Sequence, residues 1–417
     1  MWDFFCNFAP EKERKMHSQS YTVKELAKCA SCTEMRDLGY VNRDALEEEI
    51  KEQIIPQIAT DRYRMEWERA GELCVNKKED NKQYLFQNLI VRKICKNVGG
   101  VYKVKQANRN AIIRQVKSLL KAPCELYVLR LDIHHFYESI DGAKLIERLK
   151  IDGKVNAQTI AYIEQIFDEA KVLGITGLPK GVGISAVFSE MAMKPFDYSI
   201  NRLEGVYYYA RFVDDMILFC NSEEAIEKAY VTIKSTLQDI GLSLNVNKTN
   251  KWIQNKKAGS CSKEPLEYLG YCFSKSGIDG ELQVSIAKNK IKKIKTRIVR
   301  SFVSYMRRPD FTVLHKRLHY LTGNMKISVN NSILPQCVGL YYNYRYIDAN
   351  SPSLKELQVF YQNLLHCKTG RLGMAMVSHM STDEYAALRR CSFVQGFQKK
   401  ISHSFTRSEI KQITRIW

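Results

Sequence analysis

The sequence predicts an α+β fold for the central part of the chain, a sheet with helices packed on one face. Three observations predict it. YVLRLDI (127–133) alternates apolar and polar residues like a strand. YYYARFVDDMILFC (207–220) places two apolar, aromatic-rich runs on either side of an aspartate pair, the pattern of a hairpin whose turn favours Asp. Between them and beyond, helical periods appear, giving the order strand, helix, hairpin, helix, strand.

Residues 1–98 are highly charged and carry apolar positions at helical spacing in VNRDALEEEIKEQIIPQI (41–58), so this segment is expected to be mainly helical. VKELAKCASCTEM (23–35) also reads as helix. Its CxxC, Cys29 to Cys32, has no second CxxC or HxxxH at zinc-site spacing, which marks it as structural. Gly99-Gly100 is expected to break the pattern before the basic VYKVKQANRNAIIRQVKSLL (101–120).

Asp141 is placed to N-cap a helix with Leu145, Ile146 and Leu149 on one face. Asn221 or Ser222 caps the next helix, whose buried stripe is Ile226, Tyr230, Ile233 and Leu237 and whose end is Gly241. LSLNV (242–246) and LEYLGYCF (266–273) each read as a strand. From residue 284 the chain turns helical and basic. IAKNKIKKIKTRIVRSF (286–302) sets Ile291, Ile294, Ile298 and Phe302 on one stripe and surrounds it with lysine and arginine.

With 417 residues, 45% of them hydrophobic, and only nine prolines, the chain is expected to be folded and long enough for two or three domains. Lysine and arginine total 64 against 45 acidic residues, a formal net charge of +19. That imbalance points to a polyanionic partner, most simply nucleic acid. MWDFFCNFAPEKERK (1–15) lacks the basic region and apolar core of a secretory leader, and no apolar run approaches membrane-spanning length. Twelve cysteines without a disulfide-like rhythm suit reduced thiols. Together these features predict a cytoplasmic protein with no membrane association.

Adjacent carboxylates between buried runs need a reason, because they repel each other and resist desolvation. A hairpin turn is one reason. A divalent-metal site is another, since nucleotidyl transfer uses two ions held by carboxylates from converging strands. Asp132 ends one predicted strand, and Asp214 and Asp215 stand in the turn of the next hairpin, 82 residues on from Asp132 to Asp214.

LDIHHFYESID (131–141), GLPKGVGISAVFSE (177–190), ARFVDDMILF (210–219), LSLNVNKT (242–249) and EYLGYCF (267–273) resemble motifs A to E of reverse transcriptases, in the family's order. The resemblance implies a right-hand polymerase: fingers, a palm with an antiparallel sheet and catalytic hairpin, a helical thumb, and here an α-helical C-terminal domain. It divides the chain into an N-terminal helical segment with part of the fingers (1–98), fingers and palm (99–283), a basic thumb (284–330) and the C-terminal domain (331–417).

Carried over residue by residue, Asp132 and Asp214 are the principal ligands of two Mg2+ ions, and Asp215 completes the acidic cluster. Tyr137 matches the aromatic that excludes a ribose 2′-hydroxyl; a core aromatic beside Phe136 is the plainer reading. Lys248 matches the motif D lysine that protonates departing pyrophosphate, with a solvated lysine as the alternative. Lys180 and Gly181 would meet the incoming nucleotide and the template, where a Cβ would obstruct. Lys103, Lys105 and Arg109 stand where the fingers hold triphosphate. Lys288, Lys292, Lys295 and Arg297 are candidates for backbone-phosphate contact. His134 and His135, adjacent on a strand, should face opposite sides.

Two departures stand out. Phe212 replaces the family's usual Tyr before the aspartate pair, and Lys180 replaces a common Gln. The GISAVFSE variant of motif B, with RLHYLTGN (317–324), GLYYNYRYID (339–348) and LRRCSFVQGFQKKI (388–401), resembles bacterial abortive-infection and defence-associated reverse transcriptases. That resemblance implies antiphage defence, an RNA template such as an associated non-coding RNA, a DNA product made from deoxynucleoside triphosphates, and possible association with a second defence protein. Some such enzymes prime from their own tyrosine, for which Tyr341, Tyr342 and Tyr344 are candidates; buried helix aromatics are the plainer reading. A template-independent polymerase and a non-catalytic RNA-binding scaffold are the rival readings.

Overall fold

The computed structural model describes residues 18–255, 260–262, 264–275, 280–327 and 336–417. The N-terminal stretch 1–15, and the boundary expected at 330–331, lie outside them. The chain divides into two compact units, one containing Tyr137–Lys194 with the residues up to Gln106, the other Ala107–Phe136 with Pro195–Trp417. Among the described residues no helix is long and apolar enough to cross a membrane.

The first unit is mostly helical, as the charged, 3.6-period N-terminal sequence requires, but a hairpin interrupts it. Strands β1 (Trp67–Ala70) and β2 (Leu73–Asn76) pair antiparallel. Gly71, at φ +64°, supplies the turn that the helical reading overlooked. The helix Asn81–Tyr102 runs through Gly99-Gly100 and ends two residues later, before Lys103, which takes φ +50°. Glycine inside a helix costs about 1 kcal/mol, and the buried face of Leu89, Ile90, Ile94 and Val98 offsets it. Asp141 caps the helix Gly142–Asp152, accepting from the N–H groups of Ala143 and Lys144, and Leu145, Ile146 and Leu149 are buried. At the CxxC, Ser31 caps the helix Cys32–Asp37, and Cys29 and Cys32 are both free thiols.

In this unit two glycines of motif B are fixed by protein backbone. Gly177 has φ +67°, and a Cβ there would lie 2.4 Å from the carbonyl oxygens of Tyr137 and Glu138. Gly181 has φ +95°, and its Cβ would lie 2.6 Å from the Cys74 carbonyl, beside the bond that the Cys74 N–H donates to the Lys180 carbonyl at 2.7 Å. The expectation that Gly181 is glycine to admit template is therefore corrected: strand β2 occupies that space. Gly177→Ala should destabilise the fold by about 2 kcal/mol or more, from the left-handed backbone and the carbonyl clash together. Chemical denaturation checks it, and wild-type stability would exclude the close packing.

The second unit carries the predicted sheet. Strands β3 (Leu126–His134), β4 (Val206–Phe212), β5 (Asp215–Cys220), β6 (Ser243–Leu244), β7 (Asn250–Asn255) and β8 (Ser260–Cys261) assemble in the order β4-β5-β3-β7-β8, with β6 against the end of β3. The β3 pairings with β5 and β7 are antiparallel, and central β3 and β5 are mostly buried. The helix Glu223–Asp239, capped by Ser222, buries Ile226, Ile233 and Leu237. LSLNV does not form a full strand. Pairing stops after Leu244, the Asn245 N–H donates to the Asp132 carbonyl at 2.8 Å, and Val246–Lys248 form a single 3-10 turn.

LEYLGYCF is likewise two strands. β9 (Leu266–Tyr268) and β10 (Tyr271–Ser274) are joined through Leu269 and Gly270, at φ +45° and +82°, and β11 (Gln283–Ile286) completes a second sheet. The basic helix Lys288–Arg307 buries Ile291, Ile298 and Phe302 as its stripe predicts. The thumb and C-terminal segments, both expected to be helical, also contain strand. β12 (Asn324–Ile327), β13 (Gln336–Gly339) and β14 (Ser402–His403) form a small third sheet in which β14 runs parallel to β12. Strands of two to four residues are too short to show a period.

Candidate active site

Register brings the acidic residues together. Asp132, near the end of β3, lies directly opposite Asp215, the first residue of β5. The Ile133 N–H donates to the Asp214 carbonyl at 3.0 Å, holding the hairpin tip against β3. Within the turn Val213 adopts φ +60°, a strained conformation for a β-branched residue. Arg211 over-determines it. The residue is 7% exposed, and its guanidinium donates from Nε at 2.8 Å and Nη2 at 2.7 Å to the Asp197 carboxylate, and from Nη1 to the Val213 carbonyl at 2.9 Å. Tyr209 donates its hydroxyl to the same Asp197 at 2.7 Å.

Each carboxylate of the cluster has its own environment. Asp132 is 2% exposed, and both its oxygens accept from Lys248 Nζ, at 2.9 and 3.0 Å. Asp215 Oδ1 accepts from Arg130, at 2.7 Å from Nη2 and 3.2 Å from Nε. Asp214 has its pKa raised above the ordinary value of 3.8, by burial first and then by the negative charges of Asp132 and Asp215, with Lys248 working against them. Two strands and a turn thus concentrate negative charge that one ammonium and one guanidinium partly balance.

This donor set fits hard divalent cations. All of its ligand atoms are carboxylate oxygens, the chemistry that Mg2+ takes, and an ammonium already sits on the most buried carboxylate. Asp215 is tied through one oxygen to Arg130.

Arg130 and Arg211 were missed from the sequence, although the signal for the first was present. Arg130 is two residues before Asp132 on a strand and therefore on its face, so it reaches Asp215 diagonally across the ladder. The histidine expectation is corrected. His135 leaves the strand with φ +45°, so its ring does not point away from His134; the two meet edge to face at 4.0 Å between centroids.

Tyr137, Lys180, Gly181 and Lys105 belong to the first unit. Lys180 is drawn between Glu138 and Glu72, the latter at 3.2 Å, and the Glu138 carboxylate raises its pKa. Lys105 is exposed. Arg109, in the second unit, does not present a free guanidinium to triphosphate. It donates to the Leu269 carbonyl and, at 3.0 Å, to that of Asn343, and lies 5.1 Å over the Tyr271 ring. The expectation of phosphate binding there is corrected, because the positive-φ turn at Leu269 has claimed its donors. On the basic helix Lys288 and Lys292 point to solvent. Lys295 pairs with Glu356 at 2.6 Å, and Arg297 lies 5.1 Å over the Trp417 ring.

Comparison with known proteins bears on this site. Residues 75–273, which contain Asp132, Asp214, Asp215 and Lys248, match the family described as reverse transcriptase (RNA-dependent DNA polymerase). The chain is 29% identical over 107 residues to Protein P of Woodchuck hepatitis B virus (isolate 1), a match covering 26% of this chain and 11% of the viral protein. It is 23% identical over 120 residues to Protein P of Hepatitis B virus genotype F2, covering 29% and 13%. The chain therefore spans only about a tenth to a sixth of the curated relatives it matches. Among solved structures, apo telomerase from Candida tropicalis aligns over 84% of this chain and 60% of its own, at TM-score 0.38 and 13% identity. The matched residues 75–273 make up just under half of this chain, and that segment is similar to reverse transcriptases.

Proposed function

We propose that the chain is an RNA-directed DNA polymerase that works with two Mg2+ ions at Asp132, Asp214 and Asp215. The observation that carries this reading is the meeting of three carboxylates at one end of β3 and β5, inside the segment that matches the family. Bound there, divalent ions supply activation of a primer 3′-hydroxyl and neutralisation of the triphosphate. Asp132 and Asp214 hold them, and Arg130 fixes the Asp215 carboxylate beside them. Lys248 exchanges its Asp132 partner for the leaving group and gives up a proton from Nζ to pyrophosphate.

In the same reading the parts keep the division at residues 98, 283 and 330 into fingers, palm, thumb and C-terminal domain. Lys292, Lys293 and Arg300, which line a shallow groove of about 330 Å3 beside Trp417, take backbone phosphates of RNA template and DNA product. The motif B variant and the segments 317–324, 339–348 and 388–401 support a bacterial antiphage role in the cytoplasm, with a non-coding RNA as template and a second defence protein as possible partner.

The deciding experiment is incorporation of labelled deoxynucleotides by the purified chain with magnesium, before and after ribonuclease treatment. Incorporation that requires the RNA supports templated synthesis. Incorporation that survives ribonuclease favours template-independent or protein-primed synthesis, and its absence under every condition favours an RNA-binding scaffold. Tyr137→Ala should relax exclusion of ribonucleotides by roughly 10- to 100-fold, read as the ratio of kcat/KM for deoxynucleotide and ribonucleotide. An unchanged ratio assigns Tyr137 to packing alone.

A further inference from the structure

The helix Phe311–Thr322 carries His315 and His319 one turn apart, and thus on one face. Their rings lie 4.0 Å apart between centroids, with 50° between planes. Cys391, which follows the helix Thr382–Arg390, is buried against them. One nitrogen from each imidazole and the Cys391 Sγ all fall within 4.8 Å of one another. A cleft of about 480 Å3 opens the two histidines to solvent. Among the described residues neither imidazole makes a hydrogen bond.

We propose that His315, His319 and Cys391 form a binding site for a zinc-class ion, separate from the acidic cluster. Two imidazoles and a thiolate are the donors that select Zn2+ over Mg2+, which takes oxygen. Tetrahedral bonds of about 2.0–2.3 Å set ligand atoms about 3.4–3.6 Å apart. The present separation, within 4.8 Å, must therefore close by about an ångström on binding. Binding exchanges the Sγ proton, which leaves to solvent, for a metal–sulfur bond. Water from the cleft takes the fourth position.

His403 is a neighbour of the site and not a ligand. Its ring is stacked on that of His319, 4.0 Å between centroids and 9° between planes. A metal bound through the in-plane lone pair of His319 cannot also lie in the parallel plane of His403. The stack instead fixes the His319 ring, and Gly323 makes it possible, since a Cβ there would meet His403 Cδ2 at 2.6 Å. The ion would fasten the helix Phe311–Thr322 to the connection between Thr382–Arg390 and Phe393–Gln398, a staple that does not depend on the polymerase reading.

The test uses the full chain, stripped with chelator and titrated with Co2+ as a spectroscopic probe, then with Zn2+ as competitor. The expected result is one equivalent of Co2+ with a thiolate-to-cobalt charge-transfer band, displaced by Zn2+, and a melting temperature that rises with Zn2+. Cys391→Ser should lose the band, and His315→Ala should weaken binding at least tenfold. Asp214→Ala should keep both, because an all-oxygen site gives no thiolate band. Should Cys391→Ser fail to fold by circular dichroism, the His315→Gln/His319→Gln double variant decides. Absence of the band in wild type, or its persistence in folded Cys391→Ser or in the double histidine variant, overturns the proposal.

Discussion

Asp214→Ala is expected to lower DNA synthesis by about a thousandfold or more while leaving nucleic-acid affinity within about twofold. Removing a carboxylate that holds a catalytic ion forfeits several kcal/mol of charge stabilisation, and each 1.36 kcal/mol is tenfold in rate. The basic surface proposed to meet phosphate lies on the helix Lys288–Arg307, so in that reading binding draws on different residues. Single-turnover incorporation and a filter-binding titration measure the two quantities separately. Synthesis at the wild-type rate would remove Asp214 from the site, and a parallel loss of binding would give it a structural role.

The same residue predicts a stability effect of opposite sign. Burial and two negative neighbours raise the Asp214 pKa in the folded chain, so the native state binds this proton more tightly than the unfolded state does. Its contribution favours folding at pH below the ordinary carboxylate value and is lost as pH rises through the elevated pKa. At neutral pH without metal, ionised Asp214 therefore works against the fold. Asp214→Asn should melt higher than wild type under those conditions, and should lose part of the stabilisation that added Mg2+ gives wild type. Equal melting temperatures without metal would mean that the three carboxylates do not feel one another.

The site was legible in the sequence where chemistry and local period coincide. Asp132 at a strand end and the aspartate pair between apolar runs needed only the alternation of YVLRLDI and of the runs around Asp214. The caps at Asp141 and Ser222 followed from side chains that satisfy helix N–H groups within three residues. What stayed hidden depends on distance along the chain. Arg211 reads as one more strand residue until Asp197 is seen 14 positions away, holding it over the strained Val213 turn. Gly181 reads as room for a ligand because a sequence does not show that the Cys74 carbonyl already fills it. Arg109 was misread for the same reason, its donors being claimed by a turn 160 residues later. The short strands β12, β13 and β14 carry no period to detect.

Lys248→Met carries the second large effect, and it separates two jobs of one ammonium. Asp132 is almost fully buried, with Lys248 donating to both of its oxygens. Removing that partner leaves a buried carboxylate unpaired, and such losses reach 3–5 kcal/mol for fully buried pairs. Lys248 is itself half exposed, so water replaces part of what it supplied, and about 1–2 kcal/mol is the expected cost in the metal-free chain. With saturating Mg2+ that deficit should vanish, because the ions neutralise Asp132 in place of the lysine. Synthesis should still fall by about a hundredfold, the usual scale for loss of a positioned general acid, with the loss concentrated in kcat. Lys248→Arg should recover the metal-free stability but little of the rate, since guanidinium keeps the charge and does not release a proton at working pH. If metal fails to erase the stability difference, Lys248 and the ions do not share Asp132. If synthesis is unaffected in both variants, the proton reaches pyrophosphate by another route, and the lysine serves only to hold the empty cluster together until metal arrives.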